Sequence, residues 1–525
     1  MDSSGIISEI KKSLPYFSAK TVAEVRPDEI YLHITPEMFK DACLALHKML
    51  SSPVMALYAI DERKAKHIYV VNCIFLDASK GQWIIVSIDV PEKEPCFESL
   101  SKDIHSASLF EREVWEMFGV EPKGHPDLRR LRLHDEVWPE GNYPLRKDFG
   151  KVEVGKLSES KFNKVEGEGV FEVPVGPVHA GIIAPGHFRF SVAGEPIINL
   201  EARLGFIHRG IEKLFEGKSC LAALRIAERV CGNSGFAHSL AFARAVEKIV
   251  GITSSKQTEY PRAIFLELER MYNHISDIGT MAMDVSFSFP AAGASIIKEA
   301  ILQLNDELTG SRYLRKVNDI GRVLTNLDDN KKDLLRGNIS KIMADFKEVV
   351  KILNSSVSFM DRVDGTGLLR KKTAEDLGVV GLGARASGIA VDLRKSFPGV
   401  YQEVNLRIVK DEKGDALARL KVRVSEFEES ARLILELLDK VDSSERDDFE
   451  FKGKAGEAIG YAEGWRGAVL YMVKTDSTGL IERCKIVDPS FHNWPALTYA
   501  VLDNIIPDFP LCNKSFNLSY PGNDL

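Results

Sequence analysis

The sequence predicts an α+β amino-terminal domain joined to a mainly α-helical large domain, a helix bundle with small β attachments. β-rich runs bounded by polar turns come before residue 150, and apolar stripes at spacings of three and four come after it. Between them, residues 151–172 are rich in Lys, Glu, Ser and Gly and have no apolar periodicity. We therefore expect domains at 1–150 and 173–525 with a polar linker between them.

Bulk properties bound the function. The 525 residues are 44% hydrophobic, enough for large cores. A net charge of -7 and a pI near 6.0 give no reason to expect nucleic acid as a partner. Seven cysteines without a C-x-x-C pair, and no hydrophobic signal at the start, favour a reducing cytoplasm. No apolar run reaches the roughly 18 residues that a membrane span needs, so membrane association is expected only through partners.

Within the first domain, residues 29–35 look like a strand and residues 36–50 like a helix. Further β-rich runs cover residues 56–59, 67–75 and 83–90. These runs predict a sheet with one face covered by helices.

An amphipathic helix is predicted over residues 110–118, ended by Gly119 as helices often are. In the large domain, longer helical patterns cover residues 261–283, 292–308, 328–353 and 416–438. These four patterns predict the bundle.

The end of the first domain carries a specific signature. Residues 110–119, 124–130 and 143–149 resemble, in order, the E-R-E-x-x-D-M-F-G, G-H-P-D-L-R-R and P-L-R-K-D-F motifs of the 30-kilodalton subunit of respiratory complex I. The one change is conservative, with Glu116 for aspartate. The resemblance implies a structural tail that wraps against the large subunit, so His125 and Arg129 are expected to be packing and ion-pair residues.

The second domain resembles two related families over its whole length. Residues 205–214 match G-x-x-H-R-G-x-E-K-L, and residues 229–238 resemble the R-x-C-G-x-C-x-x-x-H segment of nickel–iron hydrogenase large subunits. Further motifs follow in the family's order, at residues 267–274, 383–389, 392–395 and 463–467. The same segments resemble the 49-kilodalton subunit of complex I. The fusion of the two modules resembles the large subunit of formate hydrogenlyase, of the membrane-bound, energy-converting class.

The resemblance implies a nickel–iron centre held by four thiolates, because soft sulfur donors suit these metals. The four matching positions carry Cys231, Ser234, Ser519 and Gly522, so we expect no metal and no nickel. Hydrogenases of this class also carry a proton-relay glutamate where this chain has Ala184, which cannot exchange protons. Cys231 itself has two interpretations, a buried packing residue or a retained functional thiol.

The complex I resemblance implies a quinone pocket, but its tyrosine and preceding aspartate fall at Gly232 and Cys231. His179 or His187 could replace the family's hairpin histidine, or either could have a purely structural hydrogen bond. By motif position, Arg385 and Arg466 are expected to face one pocket with few acids, which would favour an anionic or strongly polar occupant.

His208 and Arg209 are expected to face a 4Fe–4S cluster in a partner small subunit, with Arg209 either tuning the cluster's potential or forming a plain interface ion pair. No cofactor is expected in this chain itself. A quinone remains open as a ligand.

Three functions remain open. The first is the large subunit of a membrane-bound complex that couples electron transfer to ion translocation without turning over hydrogen. The second is reduction of a quinone or other small acceptor, and the third is an architectural subunit with a filled pocket. The expected partners are an iron–sulfur small subunit and antiporter-like and other membrane subunits. The expected location is the cytoplasmic face of the cell membrane, and whether the chain is itself an enzyme stays undecided.

Overall fold

A computed structural model describes residues 5, 8, 12, 21–158, 162–179, 183–444, 449 and 451–525. The amino-terminal part holds a five-stranded sheet in the order β1-β2-β5-β4-β3. Strands β2 and β5 are parallel, and the other neighbours are antiparallel. The strands are β1 (Thr21–Arg26), β2 (Glu29–Ile34), β3 (Ala56–Asp61), β4 (Ile68–Asp77) and β5 (Gln82–Pro91).

Helices cover this sheet, as the alternating pattern predicts. Helix α1 (Phe39–Leu50) packs on β4 and β5, after a 3-10 turn at Pro36–Met38. Helix α3 (Ser108–Phe118) packs on β3 and ends at Gly119, whose φ of 69° is a conformation that glycine adopts without strain. The remaining elements here are α2 (Arg63–Lys66), a 3-10 turn at His105–Ala107, and the parallel pair β6 (Cys96–Glu98) and β7 (Glu121–Lys123).

The expected linker ends earlier than predicted. Strand β8 (Val170–Val175) begins inside the predicted connector and pairs with β9 (His187–Ala193), which in turn pairs with β10 (Ile197–Arg203). The connector also contacts the protein body, since Leu157 N donates to Glu136 O at 2.6 Å and Asn163 N donates to Glu201 Oε2 at 2.9 Å. The described residues before β8, 151–158 and 162–169, form neither a helix nor a strand, as their lack of apolar periodicity predicts, and these two hydrogen bonds attach them to the protein body.

Four long helices form the predicted bundle. They are α7 (Lys256–Asp284), α8 (Ser288–Thr309), α9 (Asp329–Ser355) and α14 (Ala416–Leu438), each packed on the next with α14 closing on α7. Helix α7 begins five residues before the predicted start. Ser255 caps it by accepting from Thr258 N, and Pro261 is tolerated inside it near its amino-terminal end.

A second sheet joins the two parts of the chain. Strands β13 (Gly456–Gly464), β14 (Gly467–Thr475) and β15 (Ile481–Val487) are antiparallel, and α6 (Gly235–Val250) packs on β13 and β14. Leu470, Met472 and Val487 share one buried apolar cluster with the amino-terminal sheet. The two modules therefore form a continuous core rather than two bodies on a tether.

Shorter elements complete the large domain. They are α4 (Ile211–Phe215), α5 (Cys220–Ala227), α10 (Val357–Val363), α11 (Lys371–Asp376), α12 (Gly381–Ala386), α13 (Leu393–Ser396), α15 (Pro489–Ala500), α16 (Phe509–Phe516), α17 (Tyr520–Asp524), the ribbon β11 (Asn318–Asp319) and β12 (Arg322–Val323), and 3-10 turns at Gly399–Glu403 and Ile506–Asp508. In the described part of the chain, none of the helices has both the length and the apolar character that a membrane span requires. The architecture confirms the predicted fold class.

Candidate functional site

Three segments meet where the sequence predicted a degenerate metal site. They are the loop of residues 231–234 before α6, the turn of residues 465–466 between β13 and β14, and helix α17. Ser519 caps α17 by accepting a hydrogen bond from Gly522 N at 2.9 Å, and Pro521 follows in the first turn. This local signal sets the direction of α17 and brings Ser519 to the loop.

Cys231 lies at the centre of these segments and is 1% exposed. Its Sγ is 3.1 Å from Asn233 Oδ1 and 3.1 Å from Ser519 Oγ. The Nη1 of Arg466 lies 3.5 Å from the sulfur and donates to Asn233 Oδ1 at 3.0 Å. The thiol is therefore buried among polar groups, not in an apolar core.

The serine at the second ligand position is also engaged. Ser234 Oγ accepts a hydrogen bond from Trp465 Nε1 at 3.0 Å, and Arg466 stacks on the Trp465 ring at 3.9 Å. Arg466 further donates from Nε to the carbonyl of Asn517, just before α17. Arg466 thus lies at the site, as its motif position predicted, and ties the loop, the turn and α17 together.

The fourth ligand position faces a carboxylate. A Cβ added at Gly522 would overlap the carboxyl group of Asp488. Asp488 Oδ1 accepts from Ser490 N at 2.7 Å, and Oδ2 lies 3.1 Å from His238 Nε2. His238 Nδ1 is in turn 3.0 Å from the hydroxyl of Tyr471. This buried line of groups fixes Asp488 in the space that a side chain at position 522 would need.

Sequence reasoning missed Asn233 and Asp488. Asp488 sits before Pro489–Ala500 and accepts from Ser490 N, which is an ordinary helix cap. The local sequence around Asp488 indicates only this capping role. It does not indicate that the same carboxylate also contacts the distant Gly522. Asn233 occupies a variable position of the motif, so its only signal was its place between Cys231 and Ser234.

The expectation for Arg385 is wrong. Its guanidinium does not face a pocket with few acids but is fully buried among three carboxylates. The Nε donates to Glu426 Oε1 at 2.6 Å, and Nη1 lies 2.9 Å from Glu463 Oε1 and 3.3 Å from Asp392 Oδ2. Burial and the neighbouring Asp392 raise the pKa of Glu463 to about 7, although Arg385 opposes this. Arg385 serves an internal ionic network of the bundle.

The two candidate histidines take different positions. His179 Nδ1 lies 3.2 Å from Pro177 O, and its ring is 6.3 Å from that of Tyr520 in α17. His187 is buried in β9 with its ring 4.9 Å from Phe162 of the connector, and its Nε2 has no hydrogen-bond partner in the described residues. Burial lowers the pKa of His187. Of the two, only His179 contacts the carboxyl-terminal helix.

His208 and Arg209 bind the other side of the carboxyl-terminal segment. His208 Nδ1 lies 2.6 Å from Asp524 O, and burial lowers the pKa of this imidazole. Arg209 is exposed, and its guanidinium donates to the carbonyls of Arg229, Val230 and Pro521 at 2.8 to 3.2 Å. Arg209 therefore lies at the surface directly outside Cys231.

His125 and Arg129 have the structural contacts that were predicted. His125 Nε2 lies 3.2 Å from Ser108 Oγ, and its Nδ1 accepts from Asp127 N at 3.0 Å. Arg129 pairs with Asp127 at 2.7 Å and with Glu201 at 2.6 Å. Beside them lies a cavity of about 900 Å³ between the two modules, which sequence reasoning did not predict.

Family models match both modules of the chain. Models of the 49-kilodalton and 30-kilodalton subunits of respiratory-chain NADH dehydrogenase match residues 277–452 and 32–153, and a model of nickel-dependent hydrogenase matches residues 209–278. Formate hydrogenlyase subunit 5 of Escherichia coli (strain K12) is 32% identical over 488 residues, which cover 89% of this chain and 84% of the relative. The chain belongs to this family of hydrogenase large subunits and complex I subunits.

Two further relatives match about two thirds of this chain. A fused subunit of the NADH-quinone oxidoreductase of Bacteroides thetaiotaomicron is 31% identical over 384 residues, covering 69% of this chain and 72% of the relative. A chain in the solved structure of the membrane-bound sulfane sulfur reductase, an archaeal respiratory membrane complex, is 25% identical with a TM-score of 0.63. The match covers 68% of this chain and 99% of that one. The family's relatives are thus subunits of membrane-bound hydrogenase and complex I-like complexes.

The donor set does not fit the nickel–iron centre that the family implies. The four ligand positions offer one thiol, two hydroxyls that already hold hydrogen bonds, and a glycine that faces Asp488. Neutral hydroxyls are poor donors for these soft metals. In the described residues, no group of three or more His, Cys, Asp or Glu side chains is arranged to hold a metal ion.

Proposed function

We propose that this chain is the peripheral large subunit of a membrane-bound, complex I-like or hydrogenase-like complex that couples electron transfer to ion translocation without a working nickel–iron centre. It docks on an iron–sulfur small subunit and on antiporter-like and other membrane subunits, at the cytoplasmic face of the membrane. The observation that carries the proposal is the contact between Gly522 and Asp488, because the carboxylate fills the space of the fourth metal ligand.

The other ligand positions support the same proposal. Ser519 Oγ caps α17 and Ser234 Oγ accepts from Trp465, so each hydroxyl has a structural partner in place of a metal. Arg466 crosses the site from Asn233 to the Asn517 carbonyl. Hydrogen turnover needs the metal centre, so we propose that this chain does not catalyse it.

Elemental analysis of the native complex tests the proposal. The complex is purified through a tag on this chain, its nickel and iron are measured, and hydrogen–deuterium exchange is assayed on the same sample. We expect iron from the partner's cluster, nickel far below one ion per chain, and no exchange activity. Stoichiometric nickel or measurable exchange would overturn the proposal.

A second candidate is reduction of a small acceptor at Cys231. One observation favours it: the thiol lies 3.5 Å from the Arg466 guanidinium, a cation that would attract an anionic acceptor to the sulfur. The likeness to a chain from a sulfane sulfur reductase complex and the family's quinone oxidoreductases make an organic polysulfide and a quinone analogue the acceptors to assay. Loss of acceptor reduction in Cys231→Ser, in a complex that keeps its iron, would support this candidate.

If the chain is instead an architectural subunit, we expect no effect of Cys231→Ser on acceptor reduction. In that case Cys231→Ser and wild type give the same electron-transfer rates with every acceptor. The observation that favours this outcome is the close packing of the Cys231 thiol against Asn233 and Ser519.

A further inference from the structure

The cavity between the two modules has walls from both of them. It encloses about 900 Å³, a volume typical of small-molecule sites in proteins. Helix α3 and residues 129–143 of the first module form one wall, and β10 and α15 of the second form the other. A ligand in this cavity would therefore contact both modules at once.

Five arginines line the cavity, and four of them are neutralised by carboxylates. Each of the four has a carboxylate oxygen at 2.5 to 3.3 Å, and they are Arg129, Arg130, Arg132 and Arg203. Because these guanidiniums already have counter-ions, their charges offer little to a bound anion.

Arg112 is the fifth arginine, and its charge is not compensated. Its Nε donates to Arg129 O at 2.6 Å, and its Nη2 donates to Arg130 O at 3.2 Å. Among the residues that the structure describes, no carboxylate lies within ion-pair distance of this guanidinium, and its Nη1 has no hydrogen-bond partner. The two carbonyls orient the guanidinium without neutralising it, and burial lowers its pKa. An anion in the cavity would offset the cost of this unpaired charge.

Trp115 provides a second unused donor beside Arg112. It follows Arg112 by three residues in α3, so the two side chains lie on one face of the helix, and both line the cavity. In the described part of the chain, the indole N–H of Trp115 has no acceptor. Trp138 and Trp494 line the cavity as well, but their N–H groups donate to backbone carbonyls. The tryptophan rings favour an aromatic occupant, because aromatic rings stabilise one another by stacked or edge contacts.

We infer that this cavity binds an organic anion with a single carboxylate and an aromatic body. The planar fork of Arg112 matches the two oxygens of a carboxylate, and the Trp115 N–H adds a third donor. The carboxylates of the four ion pairs would repel a second negative charge. The inference does not depend on the proposed function, since Cys231 and Arg466 are not among the residues that line the cavity.

Titration calorimetry of the native complex, purified through a tag on this chain, tests the inference. The probes are 2-naphthoate, its neutral amide 2-naphthamide, and inorganic phosphate. We expect saturable binding of 2-naphthoate, with an affinity about tenfold or more above that of the amide, and no competition from phosphate. Absence of saturable 2-naphthoate binding, equal affinities for the two naphthyl probes, or competition from phosphate would each overturn the inference.

A pair of variants assigns the binding to this cavity. Arg112→Gln should weaken 2-naphthoate binding about tenfold or more and leave 2-naphthamide binding unchanged. Arg129→Gln is the matched control, because it removes a guanidinium from the same cavity that already pairs with Asp127 and Glu201. We expect the control to change the affinity by about threefold or less. Equal losses in the two variants would show that Arg112 does not bind the carboxylate.

Trp115→Phe keeps the test decisive if Arg112→Gln does not assemble. This variant leaves both hydrogen bonds of Arg112 in place and retains an aromatic ring, so it removes only an N–H that has no acceptor among the described residues. We expect 2-naphthoate to bind about threefold or more weakly, while 2-naphthamide changes less. An unchanged 2-naphthoate affinity would overturn the inference.

Discussion

The carboxyl group of Asp488 occupies the space into which a side chain at position 522 would project. Asp488 cannot easily move, because the backbone N–H of Ser490 holds one of its oxygens and His238 the other. The neighbouring His238 and Arg466 hold the pKa of Asp488 below its usual range, although burial opposes this. Position 522 has therefore become a packing position in this chain.

Gly522→Ala should destabilise the protein. The added methyl group overlaps a carboxylate that is held by two hydrogen bonds, and overpacking of this kind costs about 1–3 kcal/mol. Denaturant unfolding of the two proteins measures the difference. Gly232→Ala is the control, because no atom lies within 4 Å of a Cβ at that position. Equal losses in the two variants would contradict the predicted overlap with Asp488.

Arg385→Met should be far more costly. It leaves Glu426, Asp392 and Glu463 buried around a neutral side chain, and removing one partner from a buried ionic group typically costs about 3–5 kcal/mol. Lys372→Met serves as the control. That lysine pairs with Asp376 at 2.7 Å on the exposed face of α11, where a pair contributes about 0–1 kcal/mol. If the two variants lost similar stability, the buried network would not hold the bundle together.

Arg385 and Gly522 also show what the sequence could not predict. The four bundle helices and four of the five strands of the first sheet were predicted to within a few residues, because apolar periodicity is local, but β1 (Thr21–Arg26) was not predicted. Two of the three carboxylates around Arg385, those of Glu426 and Glu463, lie 41 and 78 residues further along the chain, and ion pairing has no periodic signal. The motif therefore located Arg385 in the chain but gave the wrong surroundings for it.

The candidate site shows the same division. The motifs correctly predicted that Cys231, Ser234 and Ser519 lie close together, because the family keeps the order of these segments. It could not predict that Asp488 faces Gly522, since the role of Asp488 is also that of a helix cap. The predicted end of the linker was wrong for a related reason. The short apolar run that begins at Val170 forms a strand only because β9 supplies its hydrogen bonds.

Thiol labelling should be confined to Cys96 in the folded protein. Six of the seven cysteines are buried and Cys96 is partly exposed, and only an accessible thiol reacts with a maleimide. Mass spectrometry of peptides after brief native labelling identifies the modified residue. We expect one modified cysteine in wild type and none in Cys96→Ser. Labelling of Cys231 as fast as that of Cys96 would mean that the site opens in solution, in favour of a functional thiol.

Stability should fall in mild acid because of His492. This residue of α15 is buried with its Nε2 3.2 Å from Met55 O, and burial lowers its pKa from 6.5 to about 4. Between those values the unfolded chain binds a proton that the folded protein does not, so the contribution is fully present above pH 6.5 and is lost as pH falls towards 4. The loss approaches about 3 kcal/mol.

Unfolding free energies of wild type and His492→Gln across pH 4 to 6.5 measure this contribution. The variant has no imidazole to protonate at this position, so its curve should be flatter by that amount even if its stability at neutral pH is lower. Parallel curves for His492→Gln and wild type would mean that the buried imidazole is not what limits stability in acid.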